Sequence, residues 1–248
     1  ATVDTVYPEA ATADAQIKVL DNLISQQPLG LAMKNSFVYA ITVTVICLFI
    51  CSLAGYGFEV YHDKWKDKLF SVLLLAMMIP QVATMIPLFR MFSKAGLLNT
   101  VLAFFLPMIS TPFMIMMFRQ NSRAFPVDIV EAARIDGCGE FKIMYRIAIP
   151  LCVPTIATLC LFYAVGRWNG IDDQLYYVQK TGLHTVQMAL KQMIEAVNVQ
   201  SEESGTTQLV AENIKAASIT LSMTPMLVVY PFIQRFFTQG IMLGAVKG

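Results

Sequence analysis

The chain has 248 residues, of which 56% are hydrophobic and 14% are charged, and its formal net charge is +1. Ordinary soluble domains contain about 45–50% hydrophobic and about 25% charged residues, so the composition indicates a membrane protein. The near-zero net charge excludes bulk electrostatic attraction to nucleic acid or to an anionic substrate.

Five segments without Asp, Glu, Lys or Arg are each long enough to cross a bilayer once as a helix. These segments are 37–58, 69–89, 95–118, 147–166 and 216–234. We therefore predict an all-α polytopic membrane protein, with a transmembrane domain over 37–248. The alternative is a soluble protein with five buried helices, but such helices rarely lack charge on every face over these lengths.

Residues 1–36 begin with a polar strip rich in Ala and Thr and continue with apolar residues at mostly helical spacing. This pattern predicts an extracytoplasmic amphipathic segment on the outer surface of the membrane. Packing against lipid or neighbouring helices explains the pattern better than a substrate site does.

Small residues form a stripe along the first span, where Cys47, Cys51 and Gly55 recur at four-residue spacing. Such a stripe favours close packing against another helix. We expect no disulfide framework, because four of the five cysteines lie inside the predicted spans and none lies in an extracytoplasmic loop. We expect no metal site, because His62 and His184 fall in loops on opposite sides of the membrane.

The second span contains Pro80 and Pro87, which cannot donate backbone hydrogen bonds and are predicted to bend the helix. The bends would serve packing or gating. Gln81 places an amide at membrane depth, where it must find a partner or face a wet cavity. It is therefore a candidate for a translocation path.

A charged segment, 119–146, follows the third span and contains a predicted short helix over about 127–136. Pro126 suits the first turn of this helix, and Asp128 favours its positive end. Gly137 can adopt the left-handed conformation that ends a helix.

The predicted short helix has the features of a docking element for another protein. Ala132 and Ala133 leave its surface nearly bare, so a partner's backbone could approach closely, while Glu131 and Asp136 supply charges that fix orientation.

A connection of 49 residues, 167–215, follows the fourth span and is too long to be a simple turn. Apolar residues at helical spacing between 187 and 194 predict an amphipathic helix, and residues 200–208 form a polar tip. Trp168 is either an interfacial anchor or a ring against which a sugar stacks.

The distribution of positive charge predicts the orientation of the chain. Residues 59–68, 119–146 and 235–248 carry ten Lys and Arg, against eight in the remaining connections. The first group should be cytoplasmic, which places the carboxyl terminus inside and residues 1–36 and 167–215 outside. An outside start requires a preceding span, which we expect to be missing from this chain.

The segment from Glu131 to Pro154 resembles the EAA loop of binding-protein-dependent ABC importers, specifically the permeases for carbohydrates. The resemblance covers nearly the whole chain and includes Gly-Leu-Leu-Asn-Thr at 96–100 and Trp168-Asn169. The Tyr-Pro-Phe at 230–232 and the ending Gly-Ala-Val-Lys-Gly are most similar to the LplC- and YtcP-like oligosaccharide branch. Cys138 and Met144 depart from the usual loop but remain apolar.

The resemblance implies a MetI-like permease fold with six spans, of which five are visible here, in the bacterial cytoplasmic (inner) membrane. It implies as partners a second homologous permease, two ATPase subunits that bind ATP and Mg, an extracytoplasmic sugar-binding protein, an oligosaccharide and membrane lipid. No cofactor is expected in this chain.

Site residues follow from the resemblance and the patterns together. The residues expected to couple to the ATPase are Glu131, Ala132, Ala133, Asp136, Gly137 and Pro150. Those expected to contact the binding protein are Ser201, Glu202, Glu203, Ser204, Gly205 and Thr206, although this composition is also typical of a mobile loop tip. The candidates for the substrate path are Gln81, Trp168 and Asn169, with Asn99, Tyr39, Tyr56, Tyr163 and Phe104 as further possibilities.

Other functions fit the sequence less well. No Gly-x4-Gly-Lys-Ser/Thr phosphate-binding loop occurs, so we expect no ATP hydrolysis by this chain. An ion-coupled secondary transporter, the main alternative, would usually carry an acid, a base or His inside a span. An intramembrane enzyme would need a nucleophile, an acid and base, or a metal cluster at membrane depth.

Overall fold

The computed structural model describes residues 28–61, 64–123, 127–204, 216, 219–220, 222–228 and 230–231, and over these ranges it contains helices and no strands. The helices are α1 Leu29–Val60, α2 Lys66–Ala76, α3 Gln81–Lys94, α4 Leu102–Phe105, α5 Pro112–Ser122, α6 Val127–Ile135, α7 Glu140–Ile143, α8 Ile149–Leu151, α9 Val153–Asn169, α10 Asp172–Tyr177 and α11 Val186–Ser204. Short 3-10 turns occupy Leu106–Met108 and Thr181–Leu183, and a π-helical turn occupies Met144–Ala148. The predicted all-α fold class is confirmed.

The longest helix, α1, has 32 residues, and in the described part of the chain no other single helix is long and apolar enough to cross a membrane by itself. Its length of about 48 Å exceeds a hydrocarbon thickness of about 30 Å. It begins at Leu29, whereas the predicted span begins at 37, so the last residues of the predicted surface segment are the first turns of this helix. Residues 1–27 lie outside the described residues.

Three helix pairs are apolar enough to cross together but are bent at a break of a few residues. The bends are 99° between α2 and α3, 44° between Leu102–Met108 and α5, and 77° between Glu140–Leu151 and α9. By length and composition, the described residues therefore provide one span, or up to four if each bent pair is one span. Of the predicted fifth span, 216–234, the described residues are helical.

The break in the second predicted span lies at Pro80, as expected from the two prolines. Pro80 has an extended backbone and forms the N-terminal boundary of α3. Proline disfavours helical geometry in the residue before it, which is Ile79 here. The chain therefore does not continue from α2 into α3 as one unbroken helix. Pro87 lies inside α3, which continues through it, and a bend of the helix at Pro87 stays a prediction.

The core around α1 is formed mainly by α5, and the stripe of small residues lies in this contact. Cys47 and Cys51 are fully buried and pack with Met114 and Phe118. At Gly55 the helices are so close that a Cβ atom would lie 2.4 Å from the Phe118 Cβ and 2.9 Å from two α5 backbone atoms. The predicted role of the stripe in close helix packing is confirmed.

The connection after α9 folds back onto the first turns of α1. The Asn35 side chain donates hydrogen bonds to the carbonyls of Gly182 and His184, at 3.0 and 3.1 Å. The Ser36 hydroxyl accepts from the Val186 backbone N–H at 2.8 Å. The predicted amphipathic helix is present as α11, and its apolar face packs on α1 and on Trp168.

We predict that Gly55→Ala destabilises the protein by about 1–3 kcal/mol, because the added methyl group meets backbone atoms that cannot rotate away. The matched control is Gly57→Ala in the same helix, where the nearest atom to an added Cβ lies 3.8 Å away. Thermal unfolding of both purified variants in the same detergent is the measurement. Equal unfolding temperatures for the two variants would contradict the close contact.

Candidate functional site

The short helix α6 ends in a hydrogen-bonded loop that depends on glycine. Gly137 has a φ of +77°, and its N–H donates to the Arg134 carbonyl at 3.0 Å. The Cys138 N–H donates to the Ala133 carbonyl at 2.9 Å. These two bonds satisfy carbonyls that would otherwise be left free at the end of the helix, which is the Schellman arrangement. The predicted helix and its left-handed end are confirmed, while Pro126 lies outside the described residues.

The inner face of α6 is buried against the chain itself. Ala133 is 8% exposed and belongs to a cluster with Tyr56 of α1, Ile143, Met144 and Ala148. The prediction that Ala133 leaves the outer surface bare is therefore wrong. The reason is helical periodicity, because Ala133 lies one turn after the partly buried Val130 and points to the same side.

The outer face of α6 is open to solvent and contains two of the predicted coupling residues, the exposed Glu131 and Ala132. Asp136, a third, is exposed directly after the helix. Large apolar side chains are also exposed on and after α6, a feature that sequence reasoning missed. They are Ile135 (86%), Phe141 (78%) and Tyr145 (72%). Exposed apolar side chains beside charged ones are typical of a surface that binds another protein.

A polar bridge joins α6 to α1 through Glu140. The Arg134 Nε donates to Glu140 Oε1 at 2.8 Å, and the Tyr56 hydroxyl donates to Glu140 Oε2 at 3.3 Å. The bond with Glu140 raises the pKa of Arg134 above its usual value. Tyr56 was a candidate for the substrate path, but it is 5% exposed and its hydroxyl belongs to this bridge.

Pro150 lies apart from α6, in the three-residue helix α8. It is exposed and precedes the 77° break before α9. Pro150 and Pro154 both lack a backbone N–H, which explains why the helical ladder is interrupted in this segment. The structure thus places Pro150 at a bend rather than on the outer face of α6.

A second group of polar residues lies at the opposite end of α1, around Asp173 of α10. Asp173 Oδ2 accepts from the Tyr39 hydroxyl at 3.0 Å and from Arg167 Nη1 at 2.9 Å. Burial raises the pKa of Asp173, and the Arg167 guanidinium opposes that rise. The Tyr39 ring is buried against Phe104, with ring centroids 4.8 Å apart. Tyr39 and Phe104 are buried in the core, and both also line a separate open pocket, so their place on a sugar path stays a prediction.

An open pocket of about 430 Å³ lies between the start of α3 and α10. Its lining residues are Gln81, Val82, Met85, Asp172, Asp173, Tyr176 and Tyr177. The expectation that Gln81 faces a cavity is consistent with this position, and its place on a substrate path stays a prediction. Sequence reasoning missed the four α10 residues, although two acids and two tyrosines within six positions were a visible signal.

Trp168 does not line this pocket. It is 2% exposed, and its Nε1 donates to the Ser222 carbonyl at 3.1 Å. Its ring lies 4.9 Å from that of Phe37. Both interpretations of Trp168, as an interfacial anchor and as a ring that stacks on sugar, are therefore wrong. Asn169 is exposed and accepts from Gln187 Nε2 at 3.4 Å, outside the pocket lining.

Two further candidates for the substrate path form hydrogen bonds with backbone groups of other segments. Asn99 has a φ of +60°, and its Oδ1 accepts from the Gln179 backbone N–H at 2.6 Å. The Tyr163 hydroxyl donates to the Met108 carbonyl. Each bond joins segments that are distant in the chain, and neither side chain lines the pocket between α3 and α10.

The predicted contact with a binding protein falls at the limit of the described residues. The helix α11 continues to Ser204, so the polar tip does not begin at residue 200 as predicted. Ser201, Glu202, Glu203 and Ser204 belong to the end of this helix, while Gly205 and Thr206 lie outside the described residues. Their contact with a partner stays a prediction.

Comparisons with known proteins agree with this architecture. The family model for the binding-protein-dependent transport system inner membrane component matches residues 48–243. The lactose transport system permease protein LacG of Rhizobium radiobacter is 36% identical, over 92% of this chain and 81% of LacG. Protein LplC of Bacillus subtilis is 32% identical, over 98% of this chain and 81% of LplC.

A solved structure supports the same fold. The chain resembles one in the crystal structure of a bacterial ABC transporter involved in the import of the acidic polysaccharide alginate, with a TM-score of 0.76 and 26% identity. The likeness covers 90% of this chain and 78% of that one. The predicted permease fold is confirmed.

We predict that Gly137→Val loosens the end of α6, because a left-handed β-branched residue costs about 1–2 kcal/mol. The matched control is Gly139→Val. An added Cβ meets nothing within 4 Å at either position, but Gly139 has an ordinary φ of −69°. Hydrogen–deuterium exchange over residues 127–138 is expected to quicken in Gly137→Val alone. Equal exchange in the two variants would show that the left-handed turn does not hold the helix.

Proposed function

Because this chain belongs to the family of binding-protein-dependent transport system inner membrane components, we propose that it is the permease subunit of an ATP-driven ABC importer for an oligosaccharide or glycan. The sugar is delivered by an extracytoplasmic solute-binding protein. The observation that carries this assignment beyond the family is α6, a short helix with an open outer face and an inner face fastened to α1.

The docking role of α6 is supported by its surface chemistry. Its outer face offers the carboxylate of Glu131, the small Ala132 and the apolar side chain of Ile135, and the exposed Asp136 follows directly after the helix. A partner ATPase can approach such a face closely and be oriented by charge. Phe141 and Tyr145 extend the apolar contact area beyond the helix.

Coupling follows from how α6 is attached to the rest of the chain. Ala133 packs in the same cluster as Tyr56 of α1, and Glu140 binds both Arg134 and Tyr56. A displacement of α6 by the ATPase is therefore transmitted to the membrane-spanning helix through apolar packing and two hydrogen bonds. Closure of the ATPases thus changes the access of the transport path.

Partner proteins supply the remaining subunits of the importer. The chain contains no phosphate-binding loop of the Gly-x4-Gly-Lys-Ser/Thr type, so two separate ATPase subunits bind ATP and Mg. A second homologous permease lines the path with this one. The bias of Lys and Arg places α6 and the carboxyl terminus in the cytoplasm, and α10 and α11 outside, where the end of α11 contacts the binding protein.

Reconstitution tests this assignment against the ion-coupled alternative. We expect proteoliposomes that contain the chain, its second permease, its ATPases and a sugar-loaded binding protein to accumulate the sugar only when ATP is supplied. Radiolabelled uptake is the measurement, with a non-hydrolysable ATP analogue as the control. Uptake driven by a sodium or proton gradient in the absence of ATPases would instead establish a secondary transporter.

The bridge through Glu140 gives a sharper prediction. Removing the Tyr56 hydroxyl should cost about 1 kcal/mol of contact between α1 and α7, since a side-chain hydrogen bond contributes about 0.5–1.5 kcal/mol. We expect Tyr56→Phe to lower the amount of sugar taken up per ATP hydrolysed by about two- to fivefold. The matched control is Tyr61→Phe, which removes a hydroxyl from an exposed tyrosine beyond the same end of α1. Equal coupling ratios in the two variants would remove Glu140 from the coupling route.

A further inference from the structure

The pocket between α3 and α10 is open to solvent and has the polarity of a ligand site. Small-molecule sites combine apolar walls with a few precisely placed polar groups. The lining combines two carboxylates, one amide, two tyrosines and two apolar side chains, and none of the seven lining residues is cationic.

One of the carboxylates is rigidly held and has an oxygen available for a ligand. Asp173 is 6% exposed, and its position is fixed from two helices by Arg167 and Tyr39. Both of these partners bind Oδ2. Oδ1 receives no hydrogen bond from the described residues, although Asp173 lines the pocket. A fixed acceptor that is nine-tenths buried is the kind of group that orients a ligand hydroxyl.

The other carboxylate sets the charge of the pocket. Asp172 is exposed and forms no ion pair with the described residues, whereas Asp173 is neutralised by Arg167 at 2.9 Å. One negative charge therefore remains uncompensated at the opening. An anionic ligand would meet repulsion of about 1 kcal/mol if its charge came within about 4 Å of Asp172 in water, which is about fivefold in affinity.

We propose that this pocket is a subsite for a neutral sugar unit and that Asp172 weakens the binding of acidic sugars to it. Sugar hydroxyls donate to the carboxylates of Asp172 and Asp173, and the Gln81 amide both donates and accepts. The apolar face of the sugar ring packs on the Tyr176 ring and on Met85. This inference rests on the proposed carbohydrate import and narrows its substrate to neutral glycans.

A divalent cation fits the same residues less well. Calcium takes six to eight oxygen ligands, whereas the pocket offers two carboxylates, and one oxygen of Asp173 is already held by Arg167 and Tyr39. A guanidinium 2.9 Å from a ligating carboxylate would also repel the cation. The fold itself does not decide between ligands, since it resembles that of an importer for acidic alginate.

The test measures sugar binding to the pocket without the binding protein, which otherwise selects the sugar. The complete complex of both permeases and the ATPases is placed in lipid nanodiscs, and dissociation constants are measured by saturation-transfer NMR. The probes are lactose as a neutral disaccharide and digalacturonate as an acidic one. The variants are Asp172→Asn and Asp172→Lys. The control is Glu195→Gln, which removes an exposed carboxylate of α11 outside the pocket lining.

The wild-type complex is expected to bind lactose more tightly than digalacturonate. The ratio of the digalacturonate to the lactose dissociation constant should fall about fivefold in Asp172→Asn, which removes one negative charge. It should fall about 25-fold in Asp172→Lys, which changes the charge by two units. Glu195→Gln should leave it unchanged. A preference for digalacturonate in the wild type, an unchanged ratio in Asp172→Lys, or loss of lactose binding on addition of calcium would each overturn the proposal.

The outcome is separable from the proposed function. If the reconstituted importer takes up its sugar with ATP but the Asp172 variants keep the wild-type ratio, the subsite is wrong and the importer assignment stands. If no carbohydrate is taken up by the complete importer under any condition, the function itself is wrong. Uptake from the loaded binding protein is therefore measured in parallel with binding to the nanodisc complex.

Discussion

The close contact of α1 with α5 at Gly55 determines how three of the described helices meet. Because no side chain separates the two backbones there, the α5 residue Arg119 comes within 3.1 Å of Glu59 on α1. Arg119 is also 2.9 Å from Asp67 of α2 and stacks on Phe70, 4.0 Å from the ring centroid. A buried guanidinium is tolerated only when it is paired in this way. One glycine thus permits the approach that joins three helices.

The two ends of α1 carry tyrosines with parallel roles. Tyr56 donates to Glu140, which also binds the docking helix α6, and Tyr39 donates to Asp173, which lines the pocket. Each hydroxyl satisfies a carboxylate from a segment far along the chain. A single continuous helix therefore lies in direct contact with the proposed ATPase dock at one end and with the proposed sugar subsite at the other. Under the proposed function, this helix connects the ATPase contact directly with the sugar subsite.

The sequence predicted where helices begin and end at positions where a single glycine or proline determines the backbone conformation. Gly137 ends α6 in the left-handed region because it lacks a Cβ, and Pro80 begins α3 because it disfavours a preceding helix. Pro87 shows the limit of this reasoning, since a proline can also be accommodated inside a helix. Length and apolar composition indicated candidate membrane-crossing segments and Pro80 indicated a break, but neither specified the angle of 99° between α2 and α3.

The sequence by itself determined that the chain is a helical membrane protein, that a short helix lies near residue 130, and that the chain resembles sugar permeases. Only the tertiary structure decided which side chains are covered. Ala133 and Trp168 are buried, and Glu140 and Asp173 meet tyrosines 84 and 134 positions away. Helical periodicity specifies which residues share a face, because that follows from local geometry. It does not specify what packs against the face, because that depends on contacts between segments that are distant in the chain.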